Sequence, residues 1–207
     1  MIGQGTSEWL AERLGKATAS RIGDIMAKTK SRPSASRQNY AAELIAERLT
    51  GNGGDFYINA AMQRGTDLEP DARDAYAFES GHTVEQVGFI PHPTIAMSGA
   101  SPDGLVGDVG LVEIKCPSTA KHIDTLTGGS IDGKYHNQMQ WQMACTGRAW
   151  CDFVSYDPRL PVEMQLATRR VHRDDEMIAE MEREVVAFLA EVSAMVETLT
   201  TQFRKAA

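Results

Sequence analysis

The stretch Ser101-Pro102-Asp103-Gly104, then Gly107-Asp108-Val109-Gly110, then Leu111-Val112-Glu113-Ile114-Lys115-Cys116-Pro117, decides how this chain is read. The glycine-bounded middle predicts a tight turn, so an extended segment doubles back into a strand over 111–115. Side chains along a strand alternate between faces. Val112 and Ile114 share one face, which suits a core, while Glu113 and Lys115 share the other. The hairpin brings Asp103 beside Glu113, with Lys115 a strand step away. Two carboxylates and an ammonium at one point are costly unless a divalent cation sits between the acids. Hard oxygen donors without a His or Cys cluster favour Mg²⁺ or Mn²⁺ over zinc. Such a cation polarises a phosphoryl oxygen, and an ammonium nearby can hold a water or developing charge. The plain alternative for D…E-x-K spacing is a surface hairpin with a solvated Glu–Lys pair.

A chain of 207 residues is long enough for one α/β domain with a sizeable core and short for two. Cys116, Cys145 and Cys151 have no C-x-x-C spacing and predict reduced thiols rather than a disulfide framework. No apolar run approaches the ~20 residues of a membrane span, and Met1-Ile2-Gly3 opens no signal-peptide pattern. The net charge of −7 argues against nucleic acid as a partner until its distribution is considered. Arg13, Lys16, Arg21, Lys28, Lys30, Arg32 and Arg37 face only Asp24 in their segment, whereas from Val171 on eight acids outnumber four basic residues. A basic face with an acidic back is compatible with local phosphate binding. Lys28, Lys30, Arg32 and Arg37 are the candidate contacts.

Periodicity predicts helices over 8–14, from 18 or 20 through Met26, from a Ser36 cap to Gly51, and over 60–78. The last has Met62, Leu68, Ala72, Ala75 and Tyr76 inward and a kink at Pro70. Strands are predicted over 84–90, 94–98, 149–156 and 162–171, and helices over 118–126 and 134–146. An amphipathic helix over 174–203 turns Met177, Met181, Phe188 and Val192 inward. The expected fold is α/β, a mixed sheet flanked by helices on one core.

With its flanks, the hairpin resembles the PD-(D/E)xK nucleases. Within them it resembles the phage lambda exonuclease, or YqaJ-type viral recombinase, family. The likeness runs from Trp9 through Thr18-Ala19-Ser20, Glu69 to Arg73, Pro102-Asp103 with Glu113-Ile114-Lys115, Gln138 to Trp141, and Tyr156-Asp157-Pro158-Arg159. Near Lys30 the chain departs from it, with lysine where an arginine would meet the DNA minor groove.

The resemblance implies a restriction-endonuclease-like core in a single exonuclease domain. A basic helical part over about 1–58 would precede a catalytic core over about 59–171 and a C-terminal helix over about 174–203. It implies an ATP-independent, Mg²⁺-dependent 5′→3′ exonuclease on double-stranded DNA, with Mn²⁺ as a substitute and two ions per site. The enzyme would release mononucleotides and leave 3′ overhangs for recombination. Asp103, Glu113, the Ile114 carbonyl and Glu69 would hold metal, with Asp67 and Asp71 as alternatives to Glu69. From spacing alone, Glu69 pairs with Arg73 at i,i+4. Lys115 would be catalytic, as would a glutamine on the following helix, Gln138 in preference to Gln140. Arg13, Ser20 and Ser101 would bind the DNA's 5′-phosphate, near the aromatic Trp9. Partners would be 5′-phosphorylated duplex ends, two further copies in a homotrimeric ring, and a single-strand annealing protein, in the cytoplasm of a phage's bacterial host. A site-specific endonuclease or junction resolvase, and a non-catalytic DNA-binding scaffold, are the competing readings. His82, His92, His122, His136 and His172 have no ligand spacing and receive no role.

Overall fold

The computed structural model describes residues 3–28, 34–54 and 59–203. In chain order the elements are α1 (Ser7–Arg13), β1 (Ala17–Thr18), α2 (Ile22–Met26), α3 (Ala35–Thr50), α4 (Ala60–Ser80), β2 (Val84–Glu85), β3 (Ile90–Pro91), β4 (Ser98–Ala100), β5 (Gly104–Val106), β6 (Gly110–Lys115), α5 (Thr119–Leu126), α6 (Gly133–Thr146), β7 (Trp150–Tyr156), β8 (Leu166–His172) and α7 (Asp175–Phe203). A five-stranded sheet runs β2-β5-β6-β7-β8, and a three-stranded one runs β1-β4-β3.

The expected hairpin forms. β5 and β6 pair antiparallel with Gly104 opposite Val112 and Val106 opposite Gly110. β6 then pairs parallel with β7 after a crossover through α5 and α6, as parallel neighbours require. This makes β6 a central strand buried on both faces. Val112 and Ile114 pack with Val154, Tyr156, Ala72 and Tyr76 on the α4 side. Leu111 packs with Cys151, Phe153 and Met139 on the α6 side, so Glu113 lies under a helix and not at a solvated surface. Gly104 is required where it stands, because a Cβ there would overlap Val84 Cγ1.

All residues from Met139 to Cys145 are buried, because α6 is wedged between the sheet and helices α2 and α7. A stretch of helix buried all round shows little periodicity, so the pattern alone does not say which glutamine faces the sheet. α7 behaves as expected, burying Ile178, Met181, Val185, Phe188 and Val192 at helical spacing. Each side chain so buried contributes about 1.5–3 kcal/mol.

Several expectations are corrected. The cap of α3 is Ser34, whose hydroxyl accepts from the Arg37 amide, not Ser36. The segment 84–90 holds two-residue strands at its ends, with Ser98–Ala100 replacing 94–98 and Leu166–His172 replacing 162–171. Met62 is exposed, since the first turns of α4 extend beyond the sheet. α4 continues through Pro70 as one element.

Asp157, wholly buried after β7, accepts from Arg159, Thr119 and Arg64. The bonds from Arg159 lead in holding it well below the usual carboxylate range. A carboxyl depressed in the folded state adds stability that is complete above its unfolded pKa of about 3.9. That stability is lost as pH falls from there towards the folded value. The urea midpoint of the unmutated protein is therefore expected to exceed that of Asp157→Asn at pH 7, with the gap closing below about pH 4. A gap that stays constant down to pH 2 would contradict this role.

Candidate active site

Asp103 lies directly beyond the Gly104–Val112 pair, so the hairpin register sets it opposite Glu113. Its Oδ2 accepts from the Ile114 amide at 2.6 Å, which fixes the carboxylate against β6 where β5 has ended. In a strand the N–H and C=O of one residue point to the same side, so the Ile114 carbonyl faces the same gap. Glu113 is completely buried and holds two partners: the Lys115 ammonium on Oε1, and Gln142 Nε2, donating to Oε2 at 2.5 Å. The ammonium also lies 5.1 Å over the ring of Tyr135, which stacks on Phe153.

The electrostatics of this spot are those of a carboxylate cluster short of positive charge. Loss of water around Asp103, then the charge of Glu113, pushes its carboxyl well above the ordinary range. Burial would lower the Lys115 ammonium, but Glu113 and Asp103 hold it above its ordinary value, so it stays protonated. Burial also raises Glu69, opposed by Arg73 and Lys115. Glu69 thus shares the field of the site, but its carboxylate is held by Arg73 one turn along α4. Among the described residues no three His, Cys, Asp or Glu side chains converge as a metal-binding group. Glu69, expected as a third ligand, is here engaged with Arg73, and Asp67 accepts from Gln63 on the same helix.

The glutamine that bonds the site is Gln142, not Gln138 or Gln140. Gln140 is buried elsewhere, donating to the His172 carbonyl at 2.8 Å and accepting from the Asp174 amide at 2.9 Å, which pins β8 to α7. Gln138 lies one turn before Gln142 on the same helical stripe as Tyr135, half-buried. The i,i+4 spacing from Gln138 was the signal for Gln142. Choosing between them needed the register of α6 against β6.

The second cluster lies beside the first. β1 pairs parallel with β4, Thr18 opposite Gly99, and so carries Ala19-Ser20 along Ala100-Ser101. Trp9 of α1 donates its indole N–H to Ser101 Oγ at 2.9 Å, and the Arg13 guanidinium lies 4.0 Å over the Trp9 ring. Arg13 and Ser20 both line a cavity of about 450 Å³, with Lys16, Thr18, Arg21 and Tyr40. Burial lowers the pKa of Arg13 from its ordinary value. Trp9, expected near this pocket, touches both Ser101 and Arg13.

The basic segment is not a free face. Lys28 pairs with Glu180 and Glu184 of α7 at 3.2 and 3.1 Å. Arg37 makes a two-point contact with Glu191 at 2.6 and 2.9 Å. Both cations are thus paired with the acidic helix α7 in the absence of DNA. Lys30 and Arg32 lie outside the described residues.

The sequence matches the model of the YqaJ-like viral recombinase domain over residues 8–149. Among solved structures, the chain is similar to an alkaline exonuclease, LHK-Exo, from Laribacter hongkongensis. The two share 60% identity and a TM-score of 0.91, over 98% of this chain and 100% of that chain. LHK-Exo in complex with dAMP is similar at 59% identity and the same TM-score and shares. A phage related exonuclease from Haemophilus somnus 129PT has 17% identity and a TM-score of 0.69, over 89% of this chain and 96% of that chain, and shares the fold alone. No curated protein matches. With an acid pair and lysine on the hairpin that its motifs foretold, and a family model covering most of its length, the chain belongs to the YqaJ-like viral recombinase family.

Proposed function

We propose that this chain is an ATP-independent, Mg²⁺-dependent exonuclease that removes mononucleotides in the 5′→3′ direction from double-stranded DNA, leaving 3′ overhangs for recombination by strand annealing. That it is a nuclease, and an exonuclease on DNA, follows from its family and from its identity to an exonuclease over nearly its whole length. The observation that carries the finer reading is the adjacency of two clusters. Asp103, Glu113 and Lys115 stand together, and Ser101, in contact with Trp9, lies two residues before Asp103.

The donor set fits a hard divalent cation. Asp103, Glu113 and the Ile114 carbonyl would hold it, and the burial and the repulsion by Glu113 that raise Asp103 are what such an ion would offset. A second ion would require Glu69 to leave Arg73. When bound, Mg²⁺ supplies Lewis-acid polarisation of the phosphoryl group. Lys115, kept protonated, orients the attacking water and stabilises charge on the phosphorus oxygens. Gln142 and Lys115 together hold Glu113 in one rotamer. Gln138, a turn nearer the mouth, is available to the water.

Polarity follows from the second cluster. The Ser101 oxygen already accepts from Trp9, which leaves its O–H free to donate to a phosphate. The Arg13 guanidinium, 4.0 Å over the indole, has no hydrogen-bond partner among the described residues and can make a two-point contact, and Ser20 adds a hydroxyl. Hydrolysis breaks the P–O3′ bond, so the released nucleotide carries the old 5′-phosphate and the strand starts with a new one. That phosphate enters the pocket and presents the next bond. The complex of LHK-Exo with dAMP supports a mononucleotide product. A blunt duplex with a 5′-phosphate is expected to be digested at least ten-fold faster than its 5′-hydroxyl counterpart. Arg13→Ala should erase most of that ratio, a charge-assisted bond being worth roughly 1.5–3 kcal/mol. Trp9→Phe should reduce the ratio by a few-fold, because it keeps the stacking face and loses the N–H. Equal rates on both ends by the unmutated enzyme would remove the pocket from the mechanism.

A ring-shaped homotrimer enclosing the duplex, working with a single-strand annealing protein, completes the reading. It is supported by the family and by the need to keep an acidic chain on DNA. Light scattering at micromolar concentration is expected to give three times the 22.6 kDa chain mass. A monomer that still digests kilobases per encounter would rule the ring out.

A further inference from the structure

Tyr156-Asp157-Pro158-Arg159, at the end of β7 and in the turn after it, is a motif that the proposed chemistry leaves unused. The Asp157 carboxylate is wholly inaccessible, yet it collects donors from three parts of the chain. Arg64 of α4 donates Nη2 to Oδ1 at 3.2 Å, and Thr119 of α5 donates its hydroxyl to Oδ2 at 2.6 Å. Arg159 donates Nε to Oδ1 at 2.7 Å and Nη2 to Oδ2 at 2.9 Å. This side-on, two-point contact fixes the plane of the Arg159 guanidinium.

The cluster is built on the exit of the catalytic strand. Arg64 Nη1 donates to the carbonyls of Cys116 and Pro117 at 3.3 and 3.1 Å, and Arg159 Nη2 reaches the Pro117 carbonyl at 3.4 Å. Cys116 and Pro117 directly follow Lys115. One buried carboxylate is neutralised by one cation, but here it has two. The Arg64 side chain is 31% exposed and that of Arg159 50%, so the surplus positive charge lies at the surface on Arg159. Its Nη1 has no hydrogen-bond partner among the described residues. By contrast, Lys28 and Arg37 have committed their charge to glutamates of α7.

An arginine whose plane is fixed by a buried acid, with its Nη1 uncommitted, binds phosphate with little ordering left to do. We propose that Arg159 binds a backbone phosphate of the DNA strand at the lip of the active site. Asp157 and Arg64 position it there and are not themselves DNA ligands. The inference rests on the reading of the chain as an exonuclease on duplex DNA.

The test is binding of a 5′-phosphorylated duplex, followed by fluorescence anisotropy over a series of KCl concentrations without divalent cations. A cation that meets one phosphate contributes about 0.7–0.9 to the slope of log affinity against log salt. Arg159→Gln is expected to lower the slope by about that amount and to weaken binding about five- to ten-fold near 0.1 M salt. Arg159→Lys should restore the slope and only part of the affinity, because an ammonium cannot repeat the two-point contact with Asp157. If Arg159→Gln leaves slope and affinity unchanged, the inference is overturned. It is equally overturned if both variants lose affinity with the slope intact, which would make the cluster a fastening of the strand exit. Digestion of linear duplex by the unmutated enzyme is scored separately, so either result leaves the exonuclease reading standing.

Discussion

Asp103→Asn is expected to lower the cleavage rate by about 10³-fold or more while changing affinity for duplex ends by less than about three-fold. Asparagine keeps the shape of the side chain and can still accept from the Ile114 amide at the position now occupied by Oδ2. What it loses is the charge, and with it one of the two carboxylates that would hold a divalent cation. Loss of several kcal/mol of charge stabilisation at the phosphoryl group corresponds to a rate loss of that size. Removing one of two repelling acids relieves the folded state, so Tm should not fall. Rates would be read from release of labelled nucleotide and affinity from anisotropy without metal. Activity within ten-fold of the unmutated protein, or full activity in EDTA, would exclude Asp103 from the chemistry.

Lys115→Ala is expected to reduce turnover by about 10²-fold or more, the scale of a lost electrostatic stabiliser. The ammonium sits on Glu113 and is held protonated by both carboxylates, so it acts as a fixed positive charge and not as a metal ligand. KM for duplex ends should change little, because Arg13, Ser20 and Ser101 are untouched. Calorimetry should show Mg²⁺ affinity preserved or raised, since the cation then meets two carboxylates with no competing ammonium. If metal binding disappears with the lysine, Lys115 belongs to the metal site and its assigned role is wrong.

The hairpin was legible because its information is local. A glycine-bounded turn and period-two alternation set Asp103 opposite Glu113 without reference to the rest of the chain. The long helix α7 was legible for the same reason, its apolar stripe repeating at helical spacing. The burial of Glu113 was not, because β6 becomes central only when α5 and α6 cross over and return β7 to its side. The bonded glutamine was missed for a related reason: from Met139 to Cys145 the helix is buried on every face, so periodicity does not single out Gln142. The ion pairs of the basic segment were not legible because their partners are far away in sequence. Lys28, just after α2, meets Glu180 and Arg37 of α3 meets Glu191 only after α2 and α3 pack against α7. Trp9 was expected near Arg13, Ser20 and Ser101, but its N–H to Ser101 joins residues 92 positions apart.

The most direct test uses two substrates in Mg²⁺: a linear duplex with a 5′-phosphate and separate labels at its 5′ and 3′ ends, and the same sequence as a closed circle. The 5′ label is expected to appear as a mononucleotide from the first time point, with the 3′ label retained in long single strands and the circle left intact. Cutting of the circle, or release of the 3′ label ahead of the 5′ label, would contradict an end-reading enzyme built on Asp103, Glu113 and Lys115.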